Sequence, residues 1–358
     1  MRVVRPPVSG DNPNRQQQYI FLGRLQHIKH KLTMVKQRRF TLAKHFDGMP
    51  KESDVKIVEK ELPALKDGEV LLETMYLTVD PYMRPYSASW KIGDTMVGEN
   101  AARVIESKNS EYPVGTNVVA FNGWVSHSIS NGKDIRKIPA YPDAFPLSLS
   151  LGVLGMPGMT AYFGVTEILH PKAGETIFVS GAAGAVGAVV GQLGKIFGCR
   201  VVGSAGSDEK VKYLKELGYD GAFNYKTTTN LEKSISDLCP DGIHMYFDNV
   251  GGDFSSTVIN LMNDFGRLAM CGAISGYNSA DPPKIINFPI VGKQLKIEGF
   301  IVRRWFNKWP EAIEKYIQYI KEGKLQYKEH VTEGFDNMFK AFCELFTGAN
   351  FGKAIVKV

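Results

Sequence analysis

The sequence predicts an α/β protein built on a doubly wound parallel sheet of the Rossmann type, and three observations carry that expectation. A glycine-rich turn, Gly181, Gly184 and Gly187 in the spacing G-x-x-G-x-x-G, lies between a β-branched run and a helical run. Short strand-like runs then recur downstream at the spacing of βα units. With 358 residues, 44% hydrophobic and 22% charged, the chain has the composition of a globular protein large enough for two domains.

From the N-terminus, residues 1–33 stand apart. They hold Arg2, Arg5, Arg15, Arg24, Lys29 and Lys31 against one acid, Asp11, and so account for +5 of the formal net charge of +6. The remaining chain has no basic excess to neutralise a phosphate backbone, so nucleic-acid binding is not expected. The loop-like run at 6–13 and the loosely helical spacing of Ile20, Phe21, Leu25 and Ile28 leave two readings open. One is a mitochondrial presequence; the other is an unstructured basic tail ahead of an initiator at Met34. The location expected is the cytoplasm, or the mitochondrion under the first reading. Two uncharged stretches, 144–166 and 176–194, are too interrupted by glycine and proline to span a bilayer. Cys199, Cys239, Cys271 and Cys343 are far apart without a C-x-x-C pair, which points to reduced thiols rather than a disulfide framework or a clustered zinc site.

The strand at 175–180 feeds the glycine turn, and a helix follows as far as Phe197. Its apolar face is Val186, Val189 or Val190, Leu193 and Phe197, while Gly187, Gly191, Gly194 and Gly198 form a bare ridge for close approach to a sheet. Such a turn suits a pyrophosphate: glycines let the backbone approach, and the helix N-terminus offers free N–H groups and positive dipole. Further strands are expected at 200–204, 222–225, 244–248, 267–271 and 296–300. Helices are expected at 211–217 and, after Pro310, at 311–321. Beyond the second strand comes Ser204-Ala-Gly-Ser207, without the acid that usually binds an NAD ribose. If Ser207 is the N-cap, Lys210 falls at the third helical position, where a cation opposes the dipole. A 2′-phosphate would turn that liability into an ion pair, so NADP(H) is the cofactor expected; the alternative is a solvated surface lysine.

The chain from Met34 onward resembles the medium-chain dehydrogenase/reductase superfamily, in its zinc-independent branch of alkenal double-bond reductases. The resemblance rests on Leu77-Thr-Val-Asp-Pro-Tyr-Met-Arg84, Gly155-Met-Pro-Gly-Met-Thr-Ala-Tyr-Phe-Gly164, Ala182-Ala-Gly-Ala-Val-Gly187, Gly206-Ser-Asp-Glu-Lys210, Phe247-Asp-Asn-Val-Gly-Gly252, Cys271-Gly-Ala-Ile-Ser275 and Asn350-Phe-Gly-Lys353. It implies a Rossmann domain (155–321) inserted in a GroES-like, β-barrel-type domain (34–154 and 322–358), paired into a homodimer through the Rossmann sheet. It agrees with the absence of zinc ligands in the first half, where no cysteine precedes Cys199 and Gly98-Glu99-Asn100 has no histidine. It implies NADPH contacts at Gly184, Ala185, Val186, Gly187, Lys210, Tyr225, Asn249, Cys271, Gly272, Ala273, Ile274, Ser275, Gly276, Tyr277, Phe300, Ile301, Val302 and Asn350. Tyr225 and Asn249 each also have an ordinary reading, as packing and as a turn former.

The activity implied is NADPH-dependent reduction of the carbon–carbon double bond of α,β-unsaturated ketones and aldehydes. The substrates implied are lipid enones and enals, such as 15-oxoprostaglandins and 2-alkenals, with reverse oxidation of the leukotriene B4 hydroxyl in the same site. Hydride delivery to the β-carbon needs donors that hold the developing enolate oxygen, and Tyr82 and Tyr277 are the candidates; half-buried structural tyrosines are the alternative. Relatives often carry a further tyrosine shortly before the 300–302 segment, whereas Ile290-Val-Gly-Lys293 has none, which leaves the proton donor open. Arg84, Arg303 and Arg304 are candidates to anchor a carboxylated lipid, or are plain surface arginines. A quinone reductase of the same fold and a non-catalytic NADPH-binding protein remain the competing readings.

Overall fold

The computed structural model describes residues 35–142, 145–280, 284 and 286–358, so the basic leader and Met34 lie outside the described residues. The first part of the chain is built of short antiparallel strands. β1 (Lys36–Leu42) and β2 (Val55–Glu61) form a ribbon, followed by β3 (Val70–Thr78), β4 (Asn100–Ser107), β5 (Asn117–Ala120), β6 (His127–Ser130) and β7 (Ile135–Lys137). The middle of the chain supplies β8 (Thr176–Val179), β9 (Arg200–Ala205), β10 (Gly221–Asn224), β11 (Ile243–Asp248), β12 (Met262–Met270) and β13 (Lys296–Gly299). The C-terminal part adds β14 (Glu329–Glu333) and β15 (Lys353–Lys357).

Two sheets dominate. A six-stranded sheet in the order β10-β9-β8-β11-β12-β13 is parallel throughout. The chain runs outward from β8 to β10, then returns to the other side at β11. The carboxyl ends of β8 and β11 are therefore the switch point where sheets of this kind bind ligands. The seven-stranded sheet has the order β14-β15-β3-β4-β5-β7, with β6 paired to β3. The C-terminal strand β15 lies antiparallel to β3, with Ile355 opposite Thr78. The last residues thus complete a sheet begun by the first hundred, which makes the parallel-sheet unit an insertion in a GroES-like one.

The expected strands of this sheet are present within a residue or two, except that β12 begins at Met262 rather than at 267, and the helix Gly187–Ile196 follows the glycine turn. The glycine ridge divides in a way its spacing does not reveal. Gly194 meets the sheet: a Cβ there would lie 2.8 Å from Val201 Cγ2. Gly191 instead faces the Tyr219 ring, 2.1 Å from where its Cβ would be, and the Tyr219 hydroxyl donates to the Gly187 carbonyl at 2.8 Å. Gly198 is no part of the ridge. It lies past the helix end with φ +76°, the left-handed turn that ends helices. The structure also contains helices Leu231–Leu238 and Gly252–Leu261, which the sequence reading left unassigned.

Two cores result. Beneath the parallel sheet, Phe163, Val179, Leu193 and Phe247 pack with Trp305 and Tyr316 of the segment that leads back to the first unit. In that first unit, Trp124 is buried among Phe40, Met83, Met96 and Phe342. Among the described residues, no helix is long and apolar enough to cross a membrane.

Candidate active site

The cofactor side of the site begins at the end of β8. Gly181 adopts φ +59°, and the Gly184 N–H closes the turn on the Gly181 carbonyl at 3.1 Å. Gly187 must be glycine for steric reasons, since a Cβ would lie 2.7 Å from Ala182 Cα. Gly184, Ala185, Val186 and Gly187 thus lead into a helix N-terminus at the carboxyl edge of the sheet, where N–H groups are free for an anion. Across them lies the C-terminal loop: Gly184 and Gly352 form a parallel bridge, and the Gly352 N–H donates to the Ala183 carbonyl at 3.2 Å. Asn350 is held in that loop by a bond from Nδ2 to the Gly352 carbonyl at 3.3 Å.

Ser207 is the N-cap of helix Asp208–Glu216, its hydroxyl accepting from the Lys210 N–H at 3.3 Å, so Lys210 sits at the third position as the sequence implied. Its ammonium donates to the Gly348 carbonyl at 2.7 Å and lies over the Phe351 ring. Burial lowers its pKa, and nearby Lys226 lowers it further. Among the described residues neither lysine has an ion-pair partner. Lys226 and the half-exposed Tyr225 crowd Gly206, where a Cβ would come within 3.2 Å of the Tyr225 hydroxyl and 3.3 Å of Lys226 Cε. Two unpaired cations, a ring and a helix N-terminus at one sheet edge fit a phosphorylated adenosine. Lys226 escaped the sequence reading; a second lysine directly after Tyr225 was its only signal.

The centre of the edge is organised by Asp248, which is fully buried. Its Oδ1 accepts from the Tyr246 hydroxyl at 2.8 Å, the Ser180 hydroxyl at 3.1 Å, and the N–H groups of Val250 and Gly251 at 2.9 and 3.0 Å. Its Oδ2 accepts from Ser255. That network shapes the loop carrying Asn249, whose Nδ2 is committed to the Ser180 carbonyl at 2.8 Å, leaving its Oδ1 for a ligand. The next loop is laid on this one. Cys271 and Gly272 donate N–H bonds to the Asp248 carbonyl, and the Ser275 hydroxyl donates to Val250 at 2.7 Å. Tyr277 folds back so that its hydroxyl accepts from the Ala273 N–H at 3.2 Å, which ties Ala273, Ile274, Ser275 and Gly276 into a closed turn. Burial pushes the Cys271 thiol up to about 12, so it stays protonated.

Of the 300–302 segment, two side chains turn inward. The Phe300 ring packs against Phe247 and Trp305, and Val302 is buried, while Ile301 is 61% exposed. Ile301 and the backbone are what this segment offers a ligand. The tyrosine-free stretch 290–293 lies on the flank, where Ile290 packs with Val258 and Ile259.

The substrate side hangs on a buried ion pair. Lys353 Nζ reaches Asp80 Oδ1 at 2.7 Å and the Val79 carbonyl at 3.0 Å, and it also bonds the Thr78 hydroxyl, which in turn bonds Asp80. Two residues beyond Asp80, Tyr82 starts the short helix Met83–Tyr86. Burial holds its hydroxyl well above the usual phenol range, reinforced by Asp80 and Glu99 and opposed by Arg303. The Tyr82 hydroxyl has no hydrogen-bond partner among the described residues. Its ring lies 5.3 Å from that of Tyr86. Arg84 bonds Asn278 Oδ1 at 3.1 Å and the Gly48 carbonyl at 3.1 Å, so the Tyr82 helix is fastened to the loop carrying Tyr277. Glu99 is opposite the end of β3, its carbonyl accepting from the Thr78 N–H, and burial raises its pKa against the pull of Arg136, Arg303 and Lys353. Among the described residues, no three His, Cys, Asp or Glu side chains converge in a way that could hold a metal ion.

Comparisons with known proteins agree on a lineage. Residues 38–138 match the family described as the N-terminal domain of oxidoreductase, and residues 185–318 match the one described as zinc-binding dehydrogenase. Prostaglandin reductase 1 of Bos taurus is 54% identical over 332 residues, spanning 90% of this chain and 100% of that protein. The NADP(+)-dependent 2-alkenal reductase of Nicotiana tabacum is 40% identical, over 90% of this chain and 98% of its own. Among solved structures, CurA in complex with NADPH from Vibrio vulnificus is similar with a TM-score of 0.85 and 35% identity, covering 90% of this chain and 99% of that one. The fold and site thus define an NADP-dependent oxidoreductase. The chain belongs to the medium-chain dehydrogenase/reductase superfamily, in the family of prostaglandin reductase 1.

Two stability predictions follow from the substrate side. Lys353→Met strands a buried carboxylate and should cost about 3–5 kcal/mol in urea unfolding, whereas pairing it with Asp80→Asn should recover most of the loss. A double variant no more stable than the single one would contradict the pairing. Because the Glu99 pKa is raised on folding, its contribution to stability is full below the unfolded carboxylate pKa and falls as pH rises through the folded value. Glu99→Gln should therefore unfold at the same urea concentration as the parent near the unfolded carboxylate pKa and at a higher one in neutral buffer. An unchanged or lower midpoint in neutral buffer would refute this.

Proposed function

We propose that the protein reduces the carbon–carbon double bond of α,β-unsaturated ketones and aldehydes with NADPH, 15-oxoprostaglandins and 2-alkenals being the substrates its relatives suggest. The observation that carries the reading is the Tyr82 hydroxyl: held protonated by burial, without a partner among the described residues, and fastened through Arg84 to the loop of Tyr277. When bound, NADPH would supply a hydride to the β-carbon, and a proton reaching the α-carbon from solvent completes the reduction. The protein's part is to bind, orient and hold protons.

In this account the glycine turn 184–187 takes the pyrophosphate, and Lys210 with Lys226 takes the 2′-phosphate. Tyr225 lies beside the adenosine. Asn249, the 271–277 turn, the 300–302 segment and Asn350 line the nicotinamide half. Tyr82 donates to the substrate carbonyl oxygen, where negative charge develops as the β-carbon is reduced; such donors are worth several kcal/mol in a site closed to water. Its raised pKa keeps it a donor at neutral pH. Tyr277 holds the 271–277 turn and offers its remaining O–H to the same cleft.

The proposed domain limits are 34–154 with 322–358 for the GroES-like unit and 155–321 for the Rossmann unit. A homodimer is supported by β13, the outer strand of the parallel sheet, with Phe288 and Val291 on the same flank 86% and 75% exposed. A cytoplasmic location is the reading for the chain from Met34 onward.

The direct test is NADPH consumption by purified protein with a 2-alkenal, a 15-oxoprostaglandin and a quinone. Fast turnover of the first two is expected; quinone turnover alone would move the protein to the quinone reductases. Lys210→Ala should raise the KM for NADPH about tenfold to a hundredfold while barely changing that for NADH, from the loss of one charge-assisted contact. Equal effects on both cofactors would remove Lys210 from the phosphate site.

A further inference from the structure

We infer that Arg303 is a specificity-determining residue, selecting enones that carry a carboxylate away from the reacting end. This rests on the reductase reading above and names the substrate class of that site more closely.

Three arginines lie around the cleft, and the structure separates them. Arg84 is spent on Asn278 and on the carbonyls of Phe46 and Gly48. Arg304 is paired with Glu298 at 2.6 Å and stacked on Trp305. Arg303 is exposed and has no hydrogen-bond or ion-pair partner among the described residues. Its guanidinium lies over the face of Phe121, 4.8 Å from the guanidinium carbon to the ring centroid. Phe121 directly follows β5 in the antiparallel sheet, whereas Arg303 follows β13 in the parallel one. The stack therefore bridges the two units.

The charges around this guanidinium leave it uncompensated. Its charge acts on Tyr82 and Glu99, working against the upward shift of both. Asp80, the other acid near Tyr82, is already neutralised by Lys353 at 2.7 Å. Glu99 is pushed toward its protonated form by burial and has Arg136 beside it. Exposed apolar side chains accompany it: Ile301 on the same segment, Phe121 beneath the guanidinium, and Tyr86 against the Tyr82 ring. A free guanidinium beside exposed apolar side chains, within electrostatic reach of Tyr82, suits an amphipathic molecule with its enone at Tyr82 and its carboxylate on Arg303. The planar fork of arginine matches a carboxylate with two parallel bonds, which a lysine ammonium cannot reproduce.

The test compares a 15-oxoprostaglandin with its methyl ester, which differ only in the negative charge, using the full-length chain. In the parent, the acid should have the higher kcat/KM, and added salt should erode that advantage. In Arg303→Ala the acid-to-ester ratio should fall about tenfold through KM, the worth of one charged contact at an exposed position. Arg303→Lys should recover part of it. An acid-to-ester ratio that is the same in parent and Arg303→Ala would overturn the inference while leaving the reductase reading intact. A parent that reduces neither compound, nor a 2-alkenal, would overturn both.

Discussion

The buried contact between Lys353 and Asp80 is the constraint on which the rest of the site depends. An ammonium and a carboxylate withdrawn from water are costly unless every bond is made, and here the ammonium meets a carboxylate, a hydroxyl and a carbonyl at once. Only one register of β15 against β3 satisfies all three. That register has consequences in both directions along the chain. Upstream of Lys353, Gly352 is brought onto Ala183 and Gly184 at the glycine turn; downstream of Asp80, the chain turns into the helix that carries Tyr82. One polar contact thus sets the cofactor turn and the proton-bearing tyrosine in a common frame.

Asp248 does for the centre of the sheet edge what Lys353 does for its side. It is a buried acid with no cation, held instead by hydroxyl and N–H donors, and such carboxylates are stable only when fully bonded. Its donors come from the residue after β8, from β11, from the loop itself and from the helix after it, so one carboxylate ties together the elements that carry Asn249 and, through the Asp248 carbonyl, the loop of Tyr277. By contrast, the phosphate end keeps cations that the protein leaves unpaired. Lys210 is half-desolvated, opposed by a helix dipole, and crowded by Lys226. An anion would relieve all three strains, which is the basis proposed for a phosphorylated ribose at this position.

Local features were legible in the sequence. The strand–turn–helix around Gly181, the cap at Ser207 and the position of Lys210 all follow from spacing over a few residues, and the structure agrees with each. The failures lie where a residue's partner is remote. Gly191 looked like a sheet contact, but its neighbour is Tyr219, two elements later. Asp80 and Lys353 are 273 residues apart, and no periodicity links them. That the Phe300 ring packs between Phe247 and Trp305, so that only the backbone of this residue is left for a cofactor, was equally invisible. Sequence also offered no way to rank Arg84, Arg303 and Arg304, because their difference lies wholly in which partners the fold brings to them.

The central claim is that the cleft directs a hydride to the carbon β to a carbonyl while Tyr82 holds the oxygen. The most direct measurement is turnover of an enone with NADPH deuterated at the transferable position, followed by locating the label in the product. The account predicts a saturated ketone with deuterium on the β-carbon, and loss of rate without relocation of the label in Tyr82→Phe. Deuterium on the carbonyl carbon, with the double bond intact, would show a carbonyl reductase and contradict it.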